Sequence, residues 1–203
     1  DDTGADDTGP SCDRAVPCQE DYVIRQNSDV AALQQCESVQ GKILVETDGL
    51  AMPTLSLPCL VSVTEDLQIH QALIERLELP ALTTVGESLR VYDLEHLTTI
   101  DAPTLEHIGV DLNVFSDPLL PVLELEALVF VGGSVRIKWN EVLVSASFPA
   151  LETLAESLII EGNQTLVAAR FPSVAELGYH LYVEQEPALE TLELPALETI
   201  GSE

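Results

Sequence analysis

Short stretches in which apolar and polar residues alternate recur along the chain at intervals of about 23 residues. A typical stretch is PALTTVGESLRVYDLEHLTTIDA, which begins at Pro80. Prolines mark the start of most units, at Pro58, Pro80, Pro103, Pro149, Pro172 and Pro195, and one further unit begins at Glu126, midway along the doubled interval. The chain is therefore organised as an internal repeat.

Superposing the units aligns aliphatic residues in columns. One column holds Ile43, Leu67, Leu89, Leu112, Val135, Leu158 and Leu181, and another, two residues later, holds Val45, Ile69, Val91, Val114, Ile137, Ile160 and Val183. Because side chains two residues apart share one face of a strand, each unit contains a short strand with alternate residues pointing inward. A third column runs from Val39 through Val63 and Val85 and is often followed by glycine, which permits a corner.

The pattern predicts a mainly β protein, a right-handed parallel β-solenoid with one short strand per coil. We expect the solenoid to cover residues 18–203, with seven coils and the start of an eighth. A helical leucine-rich-repeat horseshoe is the alternative, but its repeat requires an Asn or Cys at a fixed position that these units lack.

The first residues differ from the repeats. Residues 1–17 are rich in Asp, Thr, Gly and Pro and contain almost no large apolar residue, so we expect a flexible acidic tether. In the capping region, residues 18–38, the sequence SDVAALQQ predicts a short helix capped by Ser28 that closes the first coil. The two Asp pairs in the tether do not have the spacing of an EF-hand calcium loop.

Four cysteines, Cys12, Cys18, Cys36 and Cys59, all lie in the first third of the chain. An even number clustered at a cap predicts two disulfides and an oxidising compartment. Zinc is the competing interpretation, but the chain has no C-x-x-C pair and no histidine near these cysteines. The repeat places Cys36 in the inward column of Leu82 and Leu105, so we expect it to be buried.

The stretch CQEDYVIRQNSDVAALQQCESVQGKILV, at residues 18–45, resembles the opening of a receptor L domain, the ligand-binding solenoid of insulin-receptor and epidermal-growth-factor-receptor ectodomains. Later units such as FPALETLAESLIIEGNQTL are similar to repeats of fungal cell-wall and bacterial surface proteins. The resemblance implies pairing of Cys18 with Cys36, which leaves Cys12 for Cys59. It carries over no ligand-binding residue, because ligand contacts vary widely in the family.

Charge excludes several partners. Eight Lys and Arg against 35 Asp and Glu give a net charge of −27, which repels nucleic acid and anionic membrane surfaces. No apolar run is long enough to span a bilayer. The Asp/Thr/Gly-rich start resembles the spacer behind the lipid-bearing Cys of bacterial surface lipoproteins, which implies an anchor upstream of Asp1. Together with the predicted disulfides, this start leads us to expect an extracellular or cell-surface location. We also expect no cofactor.

One predicted sheet face collects unusual residues for so acidic a chain. The outward columns bring together Arg90, Tyr92, Asn113, Phe115, Arg136 and Lys138, with Trp139 at the rim. Arg and exposed aromatic residues are typical of binding hot spots, which makes this face the candidate binding site for a protein or a glycan. The alternative is that the same residues stabilise the sheet through cross-strand pairs.

Catalysis has little support. Glu161 and Glu184 lie in one column on adjacent coils, as in a retaining glycosidase pair, but neither has an evident apolar pocket. The four histidines fall at different repeat positions, so we expect no metal site. We therefore expect a non-enzymatic recognition or adhesion module. The alternative is a structural envelope component that self-associates through the last coil, which begins at Pro195. Asn163-Gln164-Thr165 is a glycosylation sequon.

Overall fold

The computed structural model describes residues 12–47 and 51–201. The chain forms a β-solenoid of about eight turns with roughly 23 residues per turn, 40% strand and 5% helix, which confirms the predicted fold class. The strands of successive coils pair in parallel, and each strand residue lies in register with its equivalents one repeat away.

Two sides of the solenoid are long sheets. The nine-stranded sheet contains Val16–Cys18, Cys36–Val39, Ser62–Val63, Thr84–Val85, His107–Ile108, Phe130–Val131, Thr153–Leu154, Glu176–Leu177 and Thr199–Ile200. The eight-stranded sheet contains Tyr22–Ile24, Ile43–Val45, Leu67–His70, Leu89–Tyr92, Leu112–Phe115, Val135–Lys138, Leu158–Glu161 and Leu181–Glu184.

The third side is divided into two sheets. One contains Thr54–Ser56, Arg76–Glu78 and Thr99–Asp101, and the other contains Val122–Glu124, Ser145–Ser147, Ala168–Arg170 and Thr191–Glu193. The division falls at Pro121. In neighbouring coils the equivalent amides of Thr98 and Val144 donate to the preceding coil, at 2.8 Å each, whereas proline has no N–H to donate.

The core consists of aliphatic ladders that run along the axis. The register joins Leu67, Leu89 and Leu112 as direct neighbours, and Ile69, Val91 and Val114 in the same way, and all six are buried. The columns found in the sequence are therefore the inward positions of the eight-stranded sheet. Cys36 is also fully buried, as predicted.

The N-terminal helix forms at Asn27–Leu33, but its cap differs from the prediction. Gln26, not Ser28, is the N-cap residue. The carboxylate of Asp29 accepts hydrogen bonds from the backbone amides of Arg25 and Gln26 at 2.9 and 3.1 Å. Asp29 thus satisfies amides at the start of the helix that have no partner within it, and these bonds lower the pKa of its carboxyl.

Residues 12–17, which the sequence assigned to the tether, belong to the fold. Cys12–Arg14 form a 3-10 turn, and Val16–Cys18 pair in parallel with Cys36–Val39. Disulfides join Cys12 to Cys59 and Cys18 to Cys36, as the resemblance implied, so both anchor this segment to the first coils. The other tether residues, 1–11, lie outside the described residues. None of the helices in the described ranges is long and apolar enough to cross a bilayer.

Candidate functional site

The outward side of the eight-stranded sheet has the predicted arrangement. Its register joins Arg90, Asn113 and Arg136 in one row and joins Tyr92, Phe115 and Lys138 in the next. Trp139 follows Lys138 at the rim of the sheet and is 48% exposed, whereas Asn113 is buried and the other five members are half-buried. The structure therefore brings all seven candidate residues onto one surface.

The cations on this face are paired within the protein. Arg90 contacts Asp66 at 2.7 Å, and Arg136 contacts Asp111 at 2.6 Å. Lys138 contacts Glu161, its neighbour in the next strand, at 2.9 Å. Cross-strand and corner pairing thus accounts for the basic residues, so the charge that this face offers to a partner is small.

The aromatic residues form a stack that crosses three strands. The ring centroids of His70 and Tyr92 are 4.9 Å apart, and those of Tyr92 and Phe115 are 4.7 Å apart. Gln68 donates a hydrogen bond to the Tyr92 hydroxyl, which fixes the orientation of that ring. These rings present a rigid apolar strip, because stacking and the parallel register hold each ring against its neighbour.

Trp139 is positioned by an unusual backbone. Its φ is +53°, in the left-handed region, and Asp93 and Ser116 have the same conformation at the equivalent positions of the two preceding coils. Its ring lies against Gly162, where an added Cβ would overlap the indole. Lys138 Nζ, at the end of the strand that precedes Trp139, lies 5.4 Å from the centroid of the Trp139 ring. The half-exposed indole is therefore held in place without being covered.

A groove of about 670 Å³ opens beside this rim. Its apolar lining includes Trp139, Pro118 and Leu73, and Asp93, Glu95 and Glu141 contribute carboxylates. The sequence analysis missed this groove, because it depends on where each coil turns after the four-residue strand. One sequence signal could have indicated the groove. These acids recur at repeat positions shortly after the strand that belongs to the predicted binding face.

A ladder of buried polar residues lies directly behind the groove wall. Asn140 Nδ2 donates to the Val114 carbonyl at 3.2 Å and to Asn163 Oδ1 at 3.1 Å. Asn163 Nδ2 in turn donates to the Ile137 carbonyl at 3.0 Å and to Glu186 at 2.9 Å. Because each amide satisfies backbone groups of the adjacent coil, the ladder fixes the turn that carries Trp139.

Asp117 occupies the ladder position one coil before Asn140. One carboxyl oxygen accepts from the Leu94 amide at 3.0 Å, and the other is buried and has no hydrogen-bond partner among the described residues. Burial raises the pKa of Asp117 to about 8, with a smaller contribution from the Asp93 charge. At the other end of the ladder, burial also raises the pKa of Glu186.

The sequon falls on this ladder. Asn163 is fully buried and both its amide nitrogen and its carbonyl oxygen are hydrogen-bonded. The folded solenoid therefore does not present this asparagine to a glycosyltransferase, and attachment of a glycan before folding would remove the side chain from the ladder.

The described residues give no support for catalysis. Glu161 and Glu184 are direct neighbours in the register, as expected, but Glu161 is paired with Lys138. Within residues 12–47 and 51–201, no group of three or more His, Cys, Asp and Glu side chains has the arrangement of a metal site.

Comparison with protein families, with curated proteins and with solved structures finds no match to this chain.

Proposed function

We propose that this protein is a non-enzymatic recognition or adhesion module that binds a protein or glycan at the cell surface through the eight-stranded sheet. The observation that carries the proposal is the rigid aromatic surface formed by Tyr92 and Phe115, together with Trp139 at the rim. Aromatic side chains that are fixed before binding lose little entropy on contact, which is why they dominate binding hot spots.

One structural feature and two predictions from the sequence support the proposed location. The two disulfides are consistent with an oxidising extracellular environment. The predicted receptor-L-domain relationship, in which solenoids of this shape bind ligands, and the predicted lipoprotein-like anchor both agree with a cell-surface position. We propose this finer assignment together with the recognition function.

A photo-crosslinking amino acid at Phe115 tests this function in envelope extracts. Phe130 provides the matched control, because it is also half-buried and also stacks on a neighbouring ring, that of His107, but it lies on the nine-stranded sheet. We expect one foreign partner to be captured from Phe115 and not from Phe130. Capture should be lost when Trp139→Ala is added. Equal capture from both positions, or capture that is insensitive to Trp139→Ala, would contradict the proposal.

A structural role by self-assembly is the second candidate. In the last described coil, Leu181 and Val183 are only half-buried and Ile200 is 46% exposed, whereas their counterparts in earlier coils are buried. Such a partly exposed end can pair with the end of a second copy. Sedimentation of the 203-residue chain and of Ile200→Glu tests this role. Concentration-dependent oligomers that the substitution abolishes would favour it, and a monomer at all concentrations would contradict it.

A further inference from the structure

Exposed apolar side chains are concentrated in two neighbouring coils next to the groove. Five of the twelve large apolar residues that are exposed in the described part of the chain are Leu119, Val122, Trp139, Val142 and Val144. Single exposed apolar residues are normal on protein surfaces, but a contiguous group marks an interaction site. These residues are therefore evidence for a binding surface that the sequence analysis did not identify.

The backbone register places these side chains side by side. The Val144 amide donates to the Pro121 carbonyl at 2.8 Å, and Val122 is the register partner of Ser145. Leu119 and Val142 occupy equivalent turn positions, 23 residues apart, directly after the groove residues Pro118 and Glu141. We call Pro118, Leu119, Pro121, Val122, Val142 and Val144 the apolar patch. The apolar patch is thus continuous with the groove.

The surroundings of the apolar patch are acidic. Asp93, Glu95 and Glu141 line the groove, and Glu124 is exposed at the end of the Val122–Glu124 strand. The sequence contains no Lys or Arg between Arg90 and Arg136, or between Lys138 and Arg170. Lys138, the basic residue adjacent to Trp139, is paired with Glu161 at 2.9 Å. A partner therefore meets an apolar surface bordered by uncompensated carboxylates.

We propose that the groove and the apolar patch together bind a polypeptide segment of a partner protein that carries apolar side chains flanked by Lys or Arg. The proposal rests on the recognition function and names its partner class. A cationic segment complements the carboxylates of the groove, and its apolar side chains cover the aliphatic residues. The carboxylates of the groove can accept from sugar hydroxyls, but the aliphatic side chains of the apolar patch offer them no hydrogen bonds, and the net charge of −27 repels an anionic membrane. A polypeptide is therefore favoured over a glycan or a lipid surface.

Binding of three labelled synthetic peptides to the full chain tests this inference. The peptides are KLSKVSKLSKVS, its anionic counterpart ELSEVSELSEVS and its non-apolar counterpart KSSKSSKSSKSS. We expect the first peptide to bind at least about tenfold more tightly than either counterpart, because only it matches both the apolar patch and the carboxylates. Raising the salt concentration from about 50 to about 500 mM should weaken its binding severalfold, since screening reduces the attraction.

Val144→Asn identifies the surface, and Val110→Asn is its control. The two valines are 46% and 44% exposed, but Val110 lies outside the apolar patch. We expect Val144→Asn to raise the dissociation constant of KLSKVSKLSKVS about fivefold or more and Val110→Asn to leave it unchanged. Circular dichroism verifies that both variants keep the fold, which exposed positions should tolerate.

Several results would overturn the inference. The first is that no peptide binds, and the second is that ELSEVSELSEVS binds as tightly as KLSKVSKLSKVS. The third is that Val144→Asn and Val110→Asn change the dissociation constant equally. The fourth is that the protein binds vesicles of phosphatidylglycerol and phosphatidylcholine and that Val144→Asn abolishes this binding. The peptide assay tests the apolar patch and the groove alone, whereas crosslinking from Phe115 tests the recognition function. If a partner is captured from Phe115 but no peptide binds, the recognition function stands and the partner class is wrong.

Discussion

At the residue scale, Asp117 is the position where the buried ladder is least satisfied. Asn140 and Asn163 occupy the equivalent positions of the next two coils and use both donor and acceptor atoms. An aspartate has only acceptors when ionised, so one of its oxygens remains without a partner in the core. Burial therefore favours the protonated form and raises the pKa of this carboxyl to about 8.

Asp117 should make stability depend on pH. Its unfolded pKa is about 3.9, so between about pH 4 and pH 8 the folded protein binds one more proton at this group than the unfolded chain. The free energy of unfolding should therefore fall as pH rises through this window, by at most about 1.4 kcal/mol per pH unit from this group. Urea denaturation at a series of pH values measures the slope.

Asp117→Asn separates the pH dependence of stability that Asp117 causes from the pH dependence that arises from repulsion among the other carboxylates of this acidic chain. Asparagine restores the donor that Asn140 provides in the next coil and carries no charge. We expect the variant to be more stable than the natural protein at pH 8, and nearly equal to it near pH 4. A variant that is less stable than the natural protein at pH 8 would show that the ladder position does not accept the amide.

At Gly162, the addition of one Cβ atom should change both the position of the Trp139 ring and the stability of the protein. The φ of Gly162 is +73°, and an added Cβ would overlap the Trp139 ring. Gly162→Ala should therefore displace the indole and reduce the free energy of unfolding by about 1–2 kcal/mol. Trp139 is the one tryptophan in the sequence, so its fluorescence spectrum reports the displacement directly. Gln164→Ala, at an exposed neighbour, should leave the spectrum unchanged.

At the element scale, the strand of the eight-stranded sheet and the glycine corner before it were predictable because the repeat samples each position many times. The prediction of one strand per coil was wrong, because most coils have three. The columns that contain Leu89 and Val91 are aliphatic in every unit, so the inward positions and the register followed from the sequence. The helix cap was not predictable to the residue, because Ser28 and Gln26 both suit a helix start and only the contacts of Asp29 decide between them. The extent of the tether was wrong because strand pairing and a disulfide, not local composition, order residues 12–17.

The disulfides should stabilise the first coils to different degrees. They close loops with sequence separations of 47 and 18 residues. In the chain-entropy model these loops correspond to about 4 and about 3 kcal/mol. We expect paired Cys12→Ala and Cys59→Ala to destabilise the protein slightly more than paired Cys18→Ala and Cys36→Ala. Urea unfolding midpoints give the comparison, and equal stability of the natural protein under reducing conditions would contradict it.

Pro121 should determine whether the third side is one sheet or two. Pro121→Thr matches Thr98 in the preceding coil and supplies the missing N–H. We expect its amide to be protected from hydrogen exchange by the Thr98 carbonyl, which would join the three- and four-stranded sheets. Fast exchange of that amide would mean that the path of the backbone in this coil, and not the missing N–H of Pro121, keeps the two sheets apart.

At the scale of the whole molecule, the solenoid is a rigid support for one unusual surface. The face that contains Tyr92 and Phe115 was predictable, because outward positions follow from inward ones. The pairing of its cations within the protein was not predictable, because the ion pairs of Arg90 and Arg136 depend on acids at the corner of the coil. The groove and the apolar patch depend on turn conformation, for which a sequence repeat gives no direct signal.

Hydroxyl-radical footprinting of the protein on intact cells is the most direct test of recognition through this face, because it reports the covered surface without identifying the partner. We expect Trp139 and Tyr92 to react more slowly on cells than in the isolated protein, while Phe130 on the nine-stranded sheet reacts at the same rate in both. Protection of Tyr182 and Ile200 in the last coil, with Trp139 as reactive as in isolation, would contradict recognition through this face and favour assembly through the solenoid end.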